Sequence, residues 1–400
     1  MRRRFRGPRF AFAYFAVVLA VAGALVAAVA LRIAGDALER PGVDEFYAQP
    51  PDAADGDPGG LVKSEALLGA PLASSAWRIM YRSTTADGDP VVVTGTVVVP
   101  WGPTPPGGRT VVAWGHPTTG SARDCAPSYG FDPFVGIEGL RWLLLRGYAV
   151  VATDYTGMGT DGPDSYLVGG TAGANMLDAV RAARELLGAQ ASDRVILWGH
   201  SQGGQAALFA AERAADYAPE LDIRAVAVAA PAADLLGLMS AHLDDISGVT
   251  IGSYAFQAFA DTYGDSVPGV QLDSILTPEA IAILPEMNEL CLLSNIDRLH
   301  EIGEPVVGRF TTSDPTTTPP WSELLAENSA GSVAFDAPLF VAQGLDDALV
   351  VPADTTGFVA HERAQGMSVR YDQIPFATHA TVAYLALPGM LEWLSRVTGD

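Results

Sequence analysis

Ser201 lies in a glycine-flanked pentapeptide, Gly199-His200-Ser201-Gln202-Gly203, which is typical of a serine nucleophile. A short apolar run, 195–198, precedes it, and alanine-rich helical material, 205–217, follows it. This order predicts a strand, a tight turn and a helix, with the serine at the turn. A side chain at position 199 or 203 is expected to collide with the neighbouring strand and helix, so both positions need glycine. The pattern therefore predicts a serine hydroxyl exposed at the carboxyl edge of a sheet.

A serine hydroxyl is a poor nucleophile until a base removes its proton, so a histidine and an orienting carboxylate are required. Where the nucleophile stands on this kind of turn, the acid and then the histidine follow it along the chain. A strand that ends in a glycine turn is predicted at 340–344, directly before Asp346 and Asp347. We expect Asp347 to be the acid because an apolar stretch follows it, and Asp346 remains the alternative.

Six histidines are candidates for the base. His379 follows the last predicted strand through a short loop and precedes a closing helix, which places it at the same sheet edge as the serine. His361 lies in a predicted exposed helix, and His200, although adjacent to the nucleophile, need not converge on it. His242 and His300 fall in a long insertion and are expected to be structural. His379 is therefore the predicted base.

Acyl transfer also needs two backbone N–H groups aimed at the oxyanion of the tetrahedral intermediate. Gln202, the residue after the nucleophile, supplies one of them in this kind of turn. The second is expected from the loop after the strand predicted at 110–114, which reads Gly115-His116-Pro117-Thr118. Because proline has no N–H, His116 and Thr118 remain, and we favour His116, the first residue after the glycine. Its imidazole then has no required catalytic role.

The elements that carry these residues alternate between strands and helices. Strands are predicted at 77–81, 91–99, 110–114, 148–155, 195–198, 224–230, 338–342 and 369–374, the first two as a hairpin. A glycine-rich stretch, 156–173, precedes a helix predicted at 174–187, where apolar residues recur at helical spacing. This alternation predicts an α/β protein with a mostly parallel sheet that is covered by helices on both faces.

The interval between the strands near 230 and 338 is about a hundred residues, far longer than a usual crossover connection. It contains two helix-like segments, 253–263 and 278–293, with many apolar and aromatic residues. We interpret residues 235–335 as a cap inserted over the sheet edge, and residues 65–234 and 336–400 as the core. Most apolar residues of the cap are expected to pack its helices together, and a minority to line an acyl-sized pocket.

The amino terminus indicates export. Five arginines accompany an almost uninterrupted apolar run, 10–31. Residues 1–34 are predicted to be a signal peptide with a small-residue cleavage site, or an uncleaved membrane anchor, since about 20 apolar residues can span a bilayer. Residues 35–64, rich in Pro, Gly, Asp and Ala, are predicted to be a flexible linker. The rest of the chain is expected to be secreted or extracytoplasmic, whether free or anchored to the cell membrane.

The exported part is strongly acidic. Residues 1–10 hold five of the 24 basic residues and none of the 46 acidic ones, so 19 basic residues remain and the formal charge is −27. Phosphate contacts need clustered Lys and Arg, which argues against nucleic acid or an anionic membrane as a partner. The two cysteines, Cys125 and Cys291, are not spaced as a zinc site. They fit a disulfide in an oxidising compartment, with two buried free thiols as the alternative.

The ordered combination of these motifs resembles the secretory lipase family of α/β-hydrolases, which are exported lipases of fungi and actinobacteria. The residues that carry the resemblance are Gly115-His116-Pro117-Thr118-Thr119-Gly120, Asp124-Cys125-Ala126-Pro127-Ser128, Gly199-His200-Ser201-Gln202-Gly203-Gly204, Gln343-Gly344-Leu345-Asp346-Asp347 and His379. The match covers roughly residues 65–395. The resemblance implies triacylglycerol lipase or carboxylesterase activity, a cap before the acid loop, and a bridge like Cys125–Cys291. A second disulfide of some relatives has no cysteines here.

We therefore expect a monomeric, exported serine hydrolase that acts on small-molecule or lipid esters through a Ser-His-Asp triad and an acyl-enzyme, with no metal or organic cofactor. A histidine base predicts a rate that falls below about pH 6. Two alternatives remain open. The same triad could act on a peptide, amide or polyester, or the chain could be a membrane-tethered binding protein that has lost the chemistry. A missing triad member would indicate the latter, and here all three residue types are present in order.

Overall fold

The computed structural model of the protein describes residues 43–130 and 132–399, together with the isolated positions 18, 19, 23, 26 and 30. In this described part, nine strands form one sheet: β1 Leu61–Ala66, β2 Ser74–Thr84, β3 Pro90–Pro100, β4 Arg109–Gly115, β5 Ala149–Thr153, β6 Ala191–His200, β7 Asp222–Ala229, β8 Leu339–Gly344 and β9 Val369–Ile374.

The strand order is β1-β2-β3-β5-β4-β6-β7-β8-β9. The first three strands and the β3–β5 pair are antiparallel, and the remaining neighbours are parallel. The described helices are α1 Val43–Tyr47, α2 Leu140–Leu145, α3 Gly169–Glu185, α4 Gln202–Tyr217, α5 Leu235–His242, α6 Ile246–Tyr263, α7 Pro278–Asn288, α8 Leu292–Gly303, α9 Trp321–Glu327, α10 Pro352–Ala364 and α11 His379–Val397. The predicted α/β fold with a mostly parallel sheet is confirmed.

The central strands are buried on both faces, which is why they read as unbroken apolar runs in the sequence. Every residue of β4, β5 and β8 is buried. Alternate side chains point to opposite faces. Val111 and Ala113 of β4 belong to the apolar cluster that includes α3 and α4, whereas Val112 and Trp114 belong to the cluster that includes α2, α11 and the insertion. The sheet therefore separates two apolar cores.

Five helices, α5 to α9, lie between β7 and β8, in the interval predicted as the cap. Aromatic rings pack together in this interval, where Phe256 lies 5.6 Å from Trp321 and 6.4 Å from Phe310 between ring centroids, as part of the same apolar cluster as α2 and α11. The single helix predicted at 278–293 is two helices. Cys291 separates them with an extended backbone, because it is bonded to Cys125 and its N–H is bound by the side chain of Asn295.

The segment 35–64, predicted as a flexible linker, is ordered where the structure describes it. Phe46 and Tyr47 of α1 are buried, and the Tyr47 hydroxyl is hydrogen-bonded to that of Ser128. The strand β1 then pairs with β2. The linker prediction does not hold for residues 43–64, because two aromatic side chains bury their rings against the core. The predicted export segment, 1–34, lies outside the described residues apart from the isolated positions, and none of the described helices is both long and apolar enough to span a membrane.

The glycine-rich stretch 156–173 ends inside a helix, since α3 begins at Gly169 rather than at 174. The glycines are required by the close approach of α3 to α4. A Cβ on Gly173 would lie 2.8 Å from the Ala210 backbone nitrogen, and one on Gly169 would lie 2.3 Å from the Phe209 ring. Tertiary packing therefore selects glycine at positions where helix propensity alone disfavours it.

Candidate active site

Ser201 stands between β6 and α4, at the sharp turn that its flanking glycines predict. Its backbone has φ 56° and ψ −119°, a strained conformation for a residue with a side chain. A Cβ on Gly199 would lie 1.9 Å from the Gly203 oxygen, and one on Gly203 would lie 1.9 Å from the Gly115 oxygen. Both glycines are therefore fixed by backbone contacts, the first to the start of α4 and the second to the end of β4.

His379 is the first residue of α11, and its side chain reaches both Ser201 and Asp347. Its Nε2 lies 2.9 Å from the Ser201 Oγ, and its Nδ1 lies 2.9 Å from the Asp347 Oδ2. A carboxylate can only accept a hydrogen bond, so Nδ1 carries the proton that faces Asp347 and Nε2 accepts from the serine hydroxyl. The three side chains thus form one hydrogen-bonded chain.

Asp347 is held by the loop that follows β8. Its Oδ1 accepts hydrogen bonds from the backbone N–H groups of Leu349 and Val350, at 2.9 and 3.0 Å. The side chain of Asp347 is fully buried, whereas Asp346 is exposed and its backbone N–H donates to the Ala377 oxygen. The structure brings Asp347 to His379 and leaves Asp346 facing solvent.

The loop after β4 lies against the first turn of α4. A Cβ on Gly203 would lie 2.8 Å from the His116 oxygen, which shows how closely the two backbones approach. Gln202 is the first residue of α4, where a backbone N–H has no partner within the helix. The two backbones nominated for the oxyanion are therefore neighbours beside the serine.

The imidazole of His116 is buried on the core side of this loop. Its Nδ1 donates to the Pro117 oxygen at 2.7 Å, and its ring packs on the Tyr155 ring at 4.5 Å between centroids. Burial lowers the pKa of His116, which keeps the ring neutral. Thr118, the alternative to His116, is hydrogen-bonded through its hydroxyl to Tyr166 at 2.7 Å.

The remaining histidines lie in different environments. His361 and His300 are exposed, on α10 and α8. His242 is buried at the end of α5, where its Nδ1 faces Asp245 at 2.7 Å and its Nε2 donates to the Leu349 oxygen at 2.8 Å. The insertion therefore contacts the loop that carries the acid.

His200 was set aside from the sequence, but its ring packs on that of His379, with centroids 4.9 Å apart. Its Nδ1 lies 3.1 Å from the Oε1 of Glu138, a residue that sequence reasoning missed entirely. The two residues are 62 positions apart, and no local motif marks Glu138. Only the fold places it beside the site.

The insertion is fastened to the loop after β4 by a covalent bond and two hydrogen bonds. A disulfide joins Cys125 to Cys291. The Leu292 N–H donates to the Thr119 oxygen at 2.9 Å, and the Ser121 hydroxyl donates to the side chain of Asn288 at 3.0 Å. The loop that adjoins the serine thus serves as the attachment point of α7 and α8.

Comparison with known families shows which family the chain belongs to. A family model described as secretory lipase matches residues 137–399. The chain belongs to the secretory lipase family. The resemblance drawn from the motifs is confirmed, and membership supports a lipase-type ester hydrolase.

Two curated relatives of this secretory lipase family member are 25% identical to it. One, from Mycobacterium tuberculosis, is named probable inactive lipase and covers 89% of this chain and 82% of its own length. The other, Lipase 6 of Candida albicans, covers 89% of this chain and 81% of its own. Among solved structures, Candida antarctica lipase A is similar with a TM-score of 0.73 at 19% identity, covering 88% of this chain and 85% of its own. At that identity the likeness supports the fold.

Proposed function

We propose that this protein is an extracytoplasmic carboxylic ester hydrolase, a lipase or carboxylesterase, in which Ser201 is the nucleophile, His379 the base and Asp347 the orienting acid. The observation that carries the proposal is the unbroken chain of two 2.9 Å hydrogen bonds from the Ser201 hydroxyl through His379 to Asp347. A serine activated in this way attacks carbonyl carbon.

In the first half-reaction, the Ser201 Oγ attacks the ester carbonyl while its proton moves to the His379 Nε2. The imidazolium that forms is stabilised by the buried carboxylate of Asp347, which stays ionised. Collapse of the tetrahedral intermediate transfers that proton to the departing alcohol and leaves an acyl-enzyme. Water then repeats the sequence, releasing the acid and restoring the serine.

The oxyanion is assigned to the backbone N–H groups of Gln202 and His116. What supports this is the close approach of the two backbones across Gly203, together with the burial of the His116 imidazole, whose Nδ1 is bonded to the Pro117 oxygen. Donors fixed by backbone need no reorganisation when charge develops on the carbonyl oxygen. The side chain of His116 has no step in this mechanism.

The insertion, residues 235–335, is proposed as a cap that supplies the apolar surface for the acyl chain, above a core of 65–234 and 336–400. Three of its contacts support this placement: the bridge to Cys125, the hydrogen bond to Thr119, and the bond from His242 to the acid loop. A small-molecule or lipid ester is the corresponding substrate class.

The secretory family and the Cys125–Cys291 bridge support a location outside the cytoplasm, because such bridges persist in oxidising compartments. We assign residues 1–34 to export, as a cleaved signal peptide or a retained anchor. Mass spectrometry of the mature protein distinguishes these outcomes by its first residue.

One relative carries the name probable inactive lipase, so membership of the family alone does not establish activity. In this chain the three reacting side chains are present and in contact, which supports activity.

The deciding experiment is hydrolysis of p-nitrophenyl esters from acetate to palmitate by the purified protein, beside Ser201→Ala. We expect activity that the variant loses while its thermal melting stays at the wild-type midpoint. The optimum chain length separates a lipase from a short-chain esterase. A folded wild type that hydrolyses none of these esters would contradict the proposal and favour an amide substrate or a binding role.

A further inference from the structure

A second histidine–carboxylate pair lies beside the proposed triad. His200 is the last residue of β6, and Glu138 lies two residues before α2. The His200 Nδ1 is 3.1 Å from the Glu138 Oε1, and the two residues expose only 3% and 5% of their surfaces. The backbone oxygen of Glu138 accepts a hydrogen bond from the Trp198 indole at 2.9 Å, which fixes it against the same strand.

This pair contacts the base directly. The His200 and His379 rings lie 4.9 Å apart between centroids and are tilted by 41°. His379 therefore has the carboxylate of Asp347 at its Nδ1 and a second imidazole against its ring, and that imidazole is itself bonded to the carboxylate of Glu138. Two buried acids are thus linked to the same base, Asp347 directly and Glu138 through His200.

The pair leaves hydrogen-bonding capacity unused, unlike a comparable pair elsewhere in the fold. His242 has a partner at each nitrogen, Asp245 and the Leu349 oxygen. By contrast, the His200 Nε2 and the Glu138 Oε2 are buried with no hydrogen-bond partner among the described residues. Buried polar atoms without partners are costly, so each one needs a physical explanation, and a role beside the base supplies one here.

We propose that Glu138 and His200 are positioning residues that hold the His379 ring in place and stabilise the imidazolium formed when Ser201 attacks. The proposal deepens the proposed function and rests on it. A carboxylate can only accept a hydrogen bond, so the Nδ1–H of His200 points at Glu138, and the pair places that carboxylate one imidazole away from His379. During attack the proton passes from Ser201 to His379 alone, and no proton leaves the Glu138–His200 pair. In a buried site, a nearby negative charge favours the cation that develops.

Other charged and titratable groups lie around the pair. From α11, His379 packs on His200 and Tyr384 lies near Glu138, and Asp347 is bonded to His379 at its Nδ1. Burial, and secondarily the charge of Glu138, raise the pKa of Tyr384, so this phenol is neutral at working pH. Arg141 on α2 is exposed to solvent.

The test is Glu138→Gln, which keeps the shape of the side chain and removes its charge. We expect kcat to fall about tenfold with KM unchanged, because the lost charge acts only when the imidazolium forms. The acidic limb of the kcat profile should move to lower pH by about one pH unit, the change that corresponds to a tenfold loss. A role in packing alone would not move that limb.

A second readout does not depend on hydrolysis. Nuclear magnetic resonance of the Ser201→Ala protein, with and without Glu138→Gln, follows the pH at which His379 takes up a proton. We expect the midpoint to fall in the Gln variant. An unchanged midpoint would overturn the proposal, and a wild type that hydrolyses no ester would instead count against the proposed function while the shifted midpoint still supports the pair.

Two further variants guard against misfolding and non-specific effects. Glu138→Leu combined with His200→Phe removes both polar groups at similar size, so it should fold and should show the same loss of kcat. Glu212→Gln changes another buried carboxylate, which lies in the second half of α4 and accepts a hydrogen bond from the Gly331 N–H. This control should keep the wild-type kcat and the wild-type position of the acidic limb. If the double variant matched wild type in rate and pH profile, the pair would be structural.

Discussion

The sheet edge that carries Ser201 and the inserted helices above it differ in what sets their geometry. At the edge, backbone meets backbone: Gly199, Gly203 and Gly115 approach so closely that a single methyl group has no room. In most of the insertion, side chains set the distances, through packed aromatic rings and one disulfide, although a Cβ on Gly248 would also lie 1.9 Å from a backbone oxygen, that of His242. The edge should therefore fail at small changes, whereas the insertion should tolerate changes that keep its volume.

The largest difference should appear at the acid. We expect Asp347→Asn to lower kcat about 10⁴-fold, because an amide no longer holds the Nδ1 proton of His379 in the productive direction. Initial rates on a p-nitrophenyl ester measure the effect. The adjacent and exposed Asp346→Asn is the matched control and should keep wild-type rates. A large loss in the control with a small one at 347 would reverse the assignment.

A methyl group at the edge should have the next largest effect. In Gly203→Ala the new Cβ would lie 1.9 Å from the Gly115 oxygen, so the start of α4 must move away from β4. Because a displacement of about 1 Å costs roughly 100-fold in rate, we expect kcat/KM to fall at least that far. Gly357→Ala, on the exposed face of α10 with nothing within 4 Å of its Cβ, should leave the rate unchanged. Equal rates in both variants would show that the backbone around Gly203 can shift to accept a methyl group without loss of activity.

Removing the tether tests the insertion. Replacing Cys125 and Cys291 by Ala opens a loop with a sequence separation of 166 residues. The chain-entropy model gives a loss of up to about 5 kcal/mol, usually less in practice, so calorimetry should show a clearly lower melting midpoint. Rates on a short ester should fall far less than in Gly203→Ala, because neither cysteine takes part in the hydrogen bonds that join Ser201, His379 and Asp347. A variant that melts like wild type but loses short-ester activity would contradict this division.

The smallest effect concerns the pH dependence of stability at Asp164, a core residue whose backbone oxygen accepts a hydrogen bond from Thr262 of the insertion. Burial raises the pKa of Asp164 to about 7. The folded carboxyl keeps its proton up to that pH while the unfolded one releases it near 4, so the fold loses stability as pH rises from about 4 to 7. The melting midpoint of Asp164→Asn should therefore lie a few degrees above that of wild type at pH 8 and only slightly above it at pH 5. The substitution keeps the local hydrogen bond, because the amide oxygen of Asn can still accept the Tyr166 N–H. Asp346→Asn should show no such difference, and an equal gain at both pH values would exclude the titration of Asp164 as the cause.

The elements of the core were accessible from the sequence because a strand buried on both faces is an unbroken apolar run, as at 195–198 and 338–342. The nucleophile turn could be predicted because its two glycines, Gly199 and Gly203, are needed for one reason: a side chain at either position would collide with the neighbouring backbone. The break between α7 and α8 was not, since a bond to the distant Cys125 contributes to it alongside the local contact with Asn295.

The site divides in the same way. Ser201, Asp347 and His379 could be nominated because each follows a strand in a fixed order, and the structure brings them together. Glu138 could not, because it follows no strand and its partner is 62 residues away. Likewise, the start of α3 at Gly169 depends on the approach of α4, which no local pattern reports.

The bridge between Cys125 and Cys291 also determines what one proteolytic cut can do. Ser201 lies within the 166-residue separation that the bridge spans, whereas Asp347 and His379 lie beyond it. A cut at any peptide bond between the two cysteines leaves both fragments covalently joined in one molecule. A cut after Cys291 and before Asp347 leaves the fragment with the acid and the base attached by packing alone. Outside the cell, where proteases act, a first nick between the two cysteines thus leaves the molecule in one piece, whereas a nick between Cys291 and Asp347 does not.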